Sequence, residues 1–548
     1  MSGPAADAWF DRAGAGAGRI AGRLRFLAGE NLSTPVLARG SIVLVCSAFA
    51  LILVTGLLGP SATQPPTGDQ SGVWPSYFVA SDPSGWLVCG LILLLCVAGA
   101  YGVQFGLLAL RRGWRPNLKR LLVLGVVAPF AVSLVPPMGS SDIVMYAAYG
   151  RIATHYGKDV YSVTPEEISR FGYDPVTSIT ERPWSNTPSV YGPIETWRQQ
   201  FASWVGGESA HITVWMLQVT NALAFVLAGL AALILAGRDP TMRARAVLLV
   251  LANPVLVWAA VGGGHNDAVA AMFGVMALVA LRRSPLAAGV LLGCAGAVKL
   301  SIGLYGLAFL FALRRSKRGL VELCAATGLT MGGLYLTTSP HVFDQVLAAT
   351  KYMSTGTWAK MLYAPLSIVF SDSVSRRILS ILAWVVLVVV VSMLMRVMPR
   401  SLGQRDEAVP AASAHDGAAV QADALRLATA ITVVWLLAAL YSLPWYDVVT
   451  WLPLAGLMVS RLDGVMVIRT AAMAIAYIPG RDTDISPMLL WITDRLRDSV
   501  VPVLQAVLLL SLVVWARQGG APWPWQMIRD RRMRRAGQES GKAEVSAG

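Results

Sequence analysis

Charge is what this chain of 548 residues has least of: 14% of it is Asp, Glu, Lys or Arg and 55% is hydrophobic, whereas a soluble domain carries roughly a quarter charged residues. That scarcity excludes a soluble protein. Apolar runs of about the length needed to cross a hydrocarbon core of ~30 Å recur from Val36 to Trp515 and leave no separate soluble catalytic domain. Cysteine is scarce too, and Cys46, Cys89, Cys96, Cys294 and Cys324 all lie inside apolar runs. Neither a disulfide framework nor a zinc site with paired spacings is indicated. The glycines Gly14, Gly16 and Gly18 imitate part of a dinucleotide fingerprint, but no strand precedes them and no acidic residue follows at the right distance. Residues 1–35 therefore read as a flexible leader, and the first apolar run, which has no small-residue cleavage site after it, as a retained span.

The formal charge of +14 argues for a membrane topology and against nucleic acid as a partner, because of where it sits. Basic residues gather in short connectors (Arg111-Arg112, Arg282-Arg283, Arg314 to Arg318) and in the tail from Arg529 to Arg535. This is the positive-inside pattern. It places both termini in the cytoplasm and gives an all-α, multi-pass cell-membrane protein with about thirteen to fourteen spans between residues 36 and 516. The run 285–313 is too long for one comfortable span and carries Lys299 at its middle, which predicts a hairpin of two short helices with the lysine near the outer turn. Residues 399–424 read as a flexible cytoplasmic loop and 517–548 as a basic cytoplasmic tail. Loop 59–84 has no Lys or Arg, and 137–211 is the long outer segment, so any chemistry is expected on the outer face.

Five stretches could carry it. Asp142 follows a probable span end at Pro136-Pro137 and precedes Tyr146, Tyr149, Arg151 and Tyr161; a second block from Arg182 to Pro193 adds Tyr191. Aromatic faces beside carboxylates and hydrogen-bonding groups suit a sugar, which offers an apolar ring face and a rim of hydroxyls. A solvated helix cap is the alternative for Asp142. The turn Gly262 to Asp267 presents His265 and Asp267, either toward the membrane surface or as a helix-capped connection. Lys299 marks an intramembrane site or an anion partner, or else snorkels to the interface. Trp445 and Tyr446 fit a site or an interfacial aromatic belt equally well. Asp482-Thr-Asp484 imitates a nucleotide-sugar motif, but it lies in an outer loop with no soluble fold around it.

The ordered set "SDIVMYAAYGRIATHYGKDVYSVTP", "PSVYGP", "GGHNDAVAAM", "LAAGVLLGCAGAVKLSIGL" and "PWYDVVTW", covering roughly residues 120–460, resembles the polyprenol-phosphate-mannose-dependent alpha-1,6-mannosyltransferases of actinobacterial cell envelopes. These are membrane glycosyltransferases of the C superfamily (GT-C fold). The resemblance implies a polyprenyl-phosphate-mannose donor, a lipid-anchored mannan acceptor, inversion at the sugar, and the alpha-1,6 backbone of lipomannan and lipoarabinomannan as product. It implies Asp142 as catalytic base. Lys299, Arg182, His265 and Asp267 then serve the donor phosphate and sugar, and Tyr146, Arg151, Tyr161, Tyr191, Trp445 and Tyr446 shape the sugar and acceptor subsites. Desolvation at the membrane lip is expected to raise the pKa of Asp142. Ser140-Ser141, where related enzymes often have a second acidic residue, point to no metal and no other cofactor. A transporter or flippase of lipid-linked sugars is the rival, weakened by the absence of a convincing internal repeat.

Overall fold

The computed structural model describes residues 31–68, 72–182, 184–349, 352–398, 417–481 and 485–520. Most of the leader, most of the cytoplasmic loop, Asp482 to Asp484 and nearly all of the basic tail lie outside the described residues. The described chain is helical, with one parallel pair of two-residue strands, β1 (Leu58–Gly59) and β2 (Val79–Ala80). In chain order the helices are α1 (Thr34–Leu57), α2 (Gly85–Arg111), α3 (Leu118–Val132), α4 (Asp142–Thr154), α5 (Pro165–Arg170), α6 (Pro193–Gly206) and α7 (Ala210–Leu235). After these come α8 (Pro240–Leu249), α9 (Pro254–Val257), α10 (Asp267–Ala280), α11 (Pro285–Gly296), α12 (Gly303–Ala312) and α13 (Lys317–Tyr335). The rest are α14 (His341–Ala349), α15 (Trp358–Val369), α16 (Asp372–Val397), α17 (Gly417–Ala438), α18 (Val448–Ala455), α19 (Arg461–Ala476), α20 (Pro487–Arg495) and α21 (Val501–Arg517).

Several of them open on a proline directly after the capping residue. Ser284 accepts from Ala287 N with Pro285 at the first helical position, and Ser486 does the same for Leu489 N with Pro487. Among the described residues, six helices are long and apolar enough to span a membrane: α1, α2, α7, α16, α17 and the continuous run from α20 through α21. A seventh arises if α8 and the segment 254–262 form one span, bent by 43°. Its break coincides with Asn253-Pro254, where Pro254 has no N–H to give and the Asn253 side chain caps Leu256 N. Of the other expected spans, one appears as the 19-residue α13, which is long enough but too polar to count, and the rest as shorter helices. The 285–313 run is the expected hairpin, α11 and α12, with Lys299 immediately before a 3-10 turn at Leu300–Ile302.

Three boundaries differ from expectation. Residues 417–424 belong to α17, not to a flexible loop: Gln421 is buried and its amide donates to Leu278 O at 2.8 Å. The expected span 447–460 is only the eight-residue α18, preceded by a 3-10 turn at Pro444–Asp447, too short to cross a bilayer. The expected outer loop 479–498 already contains α20, joined to α21 through one turn of wider π winding at Leu496–Val500.

The helices share two ends. α1 finishes, α2 and α7 start, and the α11–α12 hairpin turns at one of them; Arg111, Arg282, Arg283 and Arg314 to Arg318 sit at the other. The first end is capped by a small subdomain in which α4 crosses α6 and packs on α7. The crossing depends on Gly150. A Cβ there would lie 2.2 Å from Gln199 O in α6. Gly150→Ala is accordingly expected to force α4 off α6 and to cost about 1–3 kcal/mol; a thermal melt of the purified protein in detergent reads this as a lowered midpoint, and an unchanged midpoint would contradict the close approach.

Candidate active site

A cavity of about 1350 Å³ opens at the end that α4 and α6 cap. Asp142, Met145, Tyr146 and Tyr149 line it from α4, a spacing of three, four and seven residues that places them on one helix face. Tyr191, Lys299, Trp445 and Tyr446 line it from other segments. On one side the wall becomes apolar and continues down the spans, with Ala383, Trp384 and Leu387 of α16 and Trp435 and Ala438 of α17. The cavity thus joins a polar, aromatic-rimmed chamber to the lipid-facing part of the molecule.

Asp142 is the first residue of α4, where the partial positive charge of the helix N-terminus favours a carboxylate. Its side chain is about a fifth exposed, and Oδ2 lies 3.4 Å from Nδ1 of His265. His265 is fully buried, and its ring stacks on Trp445 at 3.5 Å between centroids and 8° between planes. Gly263 makes room for that ring, because a Cβ there would sit 2.5 Å from His265 Nε2. Burial pushes the Asp142 carboxyl up, but the neighbouring His265 ring, Ser140 and the Lys299 charge outweigh it and hold the group below the ordinary carboxylate value. The expected rise is therefore reversed: desolvation operates, and the polar partners exceed it.

Lys299 donates to both carboxylate oxygens of Asp267 at 2.9 Å and lies 4.5 Å from the centroid of the Tyr446 ring. Asp267 opens α10, so the pair ties that helix start to the α11–α12 turn. Tyr146 and Tyr191 meet edge to face at 5.1 Å with their hydroxyls 3.4 Å apart. Burial and the Asp142 charge hold both phenols well above their usual pKa, which keeps them as neutral hydroxyl groups able to donate to a sugar. Arg182 lines the cavity mouth with an exposed side chain, 3.6 Å from Glu166. His265 and Asp267 stand behind the lining and act on it through Asp142 and Lys299.

Two expected sugar contacts lie elsewhere. Arg151 is buried in an ion cluster, its Nε donating to Asp174 at 2.9 Å and its Nη1 to Glu208 at 3.0 Å. Nine residues after Asp142, it falls on the opposite face of α4. Tyr161 packs behind Tyr191, its hydroxyl donating to Tyr191 O at 2.9 Å and lying 3.0 Å from Thr196 Oγ1. Both hold the subdomain together and neither lines the cavity. Sequence reasoning named Tyr149 without giving it a role, and missed Tyr352, Tyr441, Tyr477, Arg481 and Arg497 among the lining residues. Arg481 pairs with Glu181, its Nε 3.0 Å from Oε1, across 300 positions of sequence. Among the described residues no group of three or more His, Cys, Asp or Glu converges as metal ligands would.

The family model described as "Alpha-(1->6)-mannopyranosyltransferase, N-terminal domain" matches residues 37–314, about half of the chain and the part that supplies Asp142, His265, Asp267 and Lys299. Alpha-(1->6)-mannopyranosyltransferase B of Corynebacterium glutamicum is 28% identical over 219 residues, 39% of this chain and 34% of that protein. An alpha-(1->6)-mannopyranosyltransferase of Mycobacterium tuberculosis is 32% identical over 143 residues, 26% of this chain and 24% of its own. These similarities span about a third or less of the curated relatives. No solved structure matches the chain.

Removing the Arg151 side chain tests its structural role. Arg151→Ala leaves Asp174 buried without its cation and is expected to lower stability by about 3–5 kcal/mol, read as a drop in melting midpoint. Asp174 is buried, which pushes its carboxyl up, but hydrogen bonds from Thr177 N, Arg151, Val176 N and Tyr156 bring it net below the ordinary value. Its contribution is complete above an unfolded pKa of about 3.9 and fades as pH falls through the lowered folded value. The wild type should therefore lose part of its advantage over Arg151→Ala in strong acid; a difference independent of pH would contradict the pairing.

Proposed function

Since the chain belongs to the alpha-(1->6)-mannopyranosyltransferase family by the match over residues 37–314, we propose that it is an inverting membrane mannosyltransferase of the C superfamily. It moves mannose from polyprenyl-phosphate-beta-mannose to the 6-hydroxyl of a mannan acceptor and so extends the alpha-1,6 backbone of lipomannan and lipoarabinomannan. The observation that carries this reading is a partly exposed carboxylate, Asp142, at the lip of an aromatic chamber whose apolar wall runs down α16 and α17. A sugar joined to a long lipid by a phosphate needs both halves of such a cavity. The gathering of basic residues at the opposite end of the helices supports an extracytoplasmic chamber with the termini in the cytoplasm.

In this mechanism the acceptor's O6 attacks the anomeric carbon from the face opposite the phosphate. The O6–C1 bond forms as the C1–O bond to phosphate breaks, the bond pair leaves with polyprenyl phosphate, and the O6 proton passes to Asp142. Inversion converts beta to alpha. Phosphate is already a competent leaving group, so the chain needs a cation beside it more than a general acid. Tyr146 and Tyr191 hydrogen-bond the sugar, and Trp445 and Tyr446 present ring faces to it. His265, wedged between Asp142 and Trp445, positions the base; Lys299 with Asp267 sets the charge behind the sugar.

A cell-free assay decides the reaction class: purified protein, polyprenyl-phosphate-mannose labelled in the sugar, a short alpha-1,6-mannoside acceptor, and a parallel sample with chelator. Transfer that resists chelation is expected, with a loss of about a hundredfold or more in Asp142→Asn; substantial transfer by that variant would sink the role of Asp142. Transfer only from another lipid-linked sugar would replace the substrate and keep the mechanism, and no transfer from any would favour a transporter.

The pH profile of the same assay tests His265. With the Asp142 carboxyl held low, the base is ionised throughout pH 5–8, and its acidic limb lies below the ordinary carboxylate value. His265→Gln removes the largest influence opposing burial and is expected to shift the acidic limb of kcat/KM upward. A limb that stays in place would show that His265 does not set the ionisation of Asp142.

A further inference from the structure

Among the described residues, four cationic side chains line the cavity: Arg182, Lys299, Arg481 and Arg497. Three of them face carboxylates, Arg182 at Glu166, Lys299 at Asp267 and Arg481 at Glu181. Arg497 is different. Its Nε donates to the carbonyl of Ala476 at 3.1 Å and its guanidinium carbon lies 5.2 Å from the centroid of the Tyr477 ring. Among the described residues no carboxylate forms an ion pair with it. It lies in the candidate membrane helix Pro487–Arg517, at the polar end where Asp494, Arg495 and Asp498 also precede the apolar run. It also occupies one of two stretches of π winding among the described residues, Leu496–Val500, the other being Trp258–Gly262; such distortions recur at functional sites.

We infer that Arg497 is the anion subsite of this cavity and receives the phosphate of a lipid-linked ligand, an inference that rests on the transfer reading for the identity of that lipid. The placement fits. Asp142 contacts His265, His265 stacks on Trp445, the Trp445 and Tyr477 rings are 6.2 Å apart, and Arg497 covers Tyr477. A continuous row of rings therefore fixes the cation relative to the base, and the sugar lies between them. The lipid-facing wall supplied by α16 opens into the same cavity, and α16 packs against α21, which continues the span from Arg497. A phosphate at Arg497 can thus send its tail directly along that wall. Lys299, already paired with Asp267 through two hydrogen bonds, is less free to receive a further anion. Arg497 also falls outside the matched segment 37–314, so the anion subsite comes from the half of the chain that the family model does not cover.

The test compares the wild type with Arg497→Gln and Arg497→Lys, each purified into lipid nanodiscs, by equilibrium binding of a short-chain polyprenyl monophosphate, the matching polyprenol and inorganic phosphate. Binding of the polyprenyl phosphate is expected to weaken tenfold or more in Arg497→Gln and by a smaller factor in Arg497→Lys, whose ammonium keeps the charge and loses the planar fork. Polyprenol should bind all three proteins equally. Inorganic phosphate should bind weakly, because the tail is absent; tight binding of inorganic phosphate would overturn a lipid headgroup as the ligand. Unchanged affinity of Arg497→Gln for polyprenyl phosphate overturns the inference. Should that variant lose polyprenol as well, Arg497→Lys decides: at least threefold weakening for the phosphate lipid alone supports the subsite, and none overturns it. Binding that depends on Arg497 in a wild type unable to transfer mannose would leave the subsite standing and remove the transfer reading. Transfer whose donor KM is unmoved in Arg497→Gln would do the reverse.

Discussion

Charge inside a low-dielectric surround must be compensated where it stands, and that requirement organises this molecule. Deep in the helix bundle Arg245 pairs with Asp463 and caps the carbonyl of Leu457, and Arg469 pairs with Asp447 with both side chains fully buried. Each pair joins segments distant in sequence or locks the ends of neighbouring helices: Arg245 clamps α8 to the start of α19, and Asp447 also accepts from Thr470, whose hydroxyl oxygen accepts from the Trp451 indole. Nearer the cavity the same rule produces Lys299 with Asp267 and Arg481 with Glu181. Breaking any of these by removing one partner leaves a stranded charge, so the pairs specify one register of the helices even where their net stabilisation is small.

The exceptions to local compensation are where chemistry becomes available. Asp142 has a histidine ring 3.4 Å away and Ser140 beside it but pairs directly with no arginine or lysine among the described residues and keeps part of its surface open, and Arg497 is held there by a carbonyl and a ring and not by a carboxylate. One anion and one cation thus remain less than fully satisfied in the same cavity, held apart by His265, Trp445 and Tyr477. A ligand that carries its own anion and hydroxyls completes both. Stacked rings suit this spacing role: they are stiff, bury large apolar area, and set distances without adding charge.

Much of this was readable from residue types, and what was hidden has a physical reason. A lysine alone in an apolar run announced the α11–α12 hairpin, because no other geometry brings it near water. The membrane class and the basic end of the bundle followed from composition and charge position. Arg151 was misread as a cavity residue because sequence proximity to Asp142 stood in for geometry; helical periodicity alone separates it from Tyr146 and Tyr149. Tyr161 failed for a similar reason, lying past the end of α4 in a segment whose direction no period fixes. Arg481 and Arg497 carried no local signal. The partner of the first lies 300 positions away, and the second is one of several arginines beside a span, indistinguishable from an interfacial anchor until its neighbours are known. The extra turns of α17 and α20 were equally silent, since Ala-rich and mixed-polarity helices buried by other helices need no amphipathic pattern of their own.

The lowered pKa of Asp142 constrains how the proposed transfer proceeds. A carboxylate held below its ordinary value is a weak base, so it cannot remove the proton of an alcohol ahead of bond formation. It becomes effective only once O6 has begun to bond to the anomeric carbon and its proton has grown acidic. Driving force must then come from the other end, from departure of a phosphate whose charge a cation stabilises as it develops. Such a division suits a lipid-linked donor: the leaving group is good before the enzyme acts, and the chain has to supply alignment and one well-placed positive charge. It also accounts for the histidine behind Asp142. By opposing the upward push of burial on the carboxyl, His265 trades base strength for constant availability, which suits a reaction that the leaving group carries.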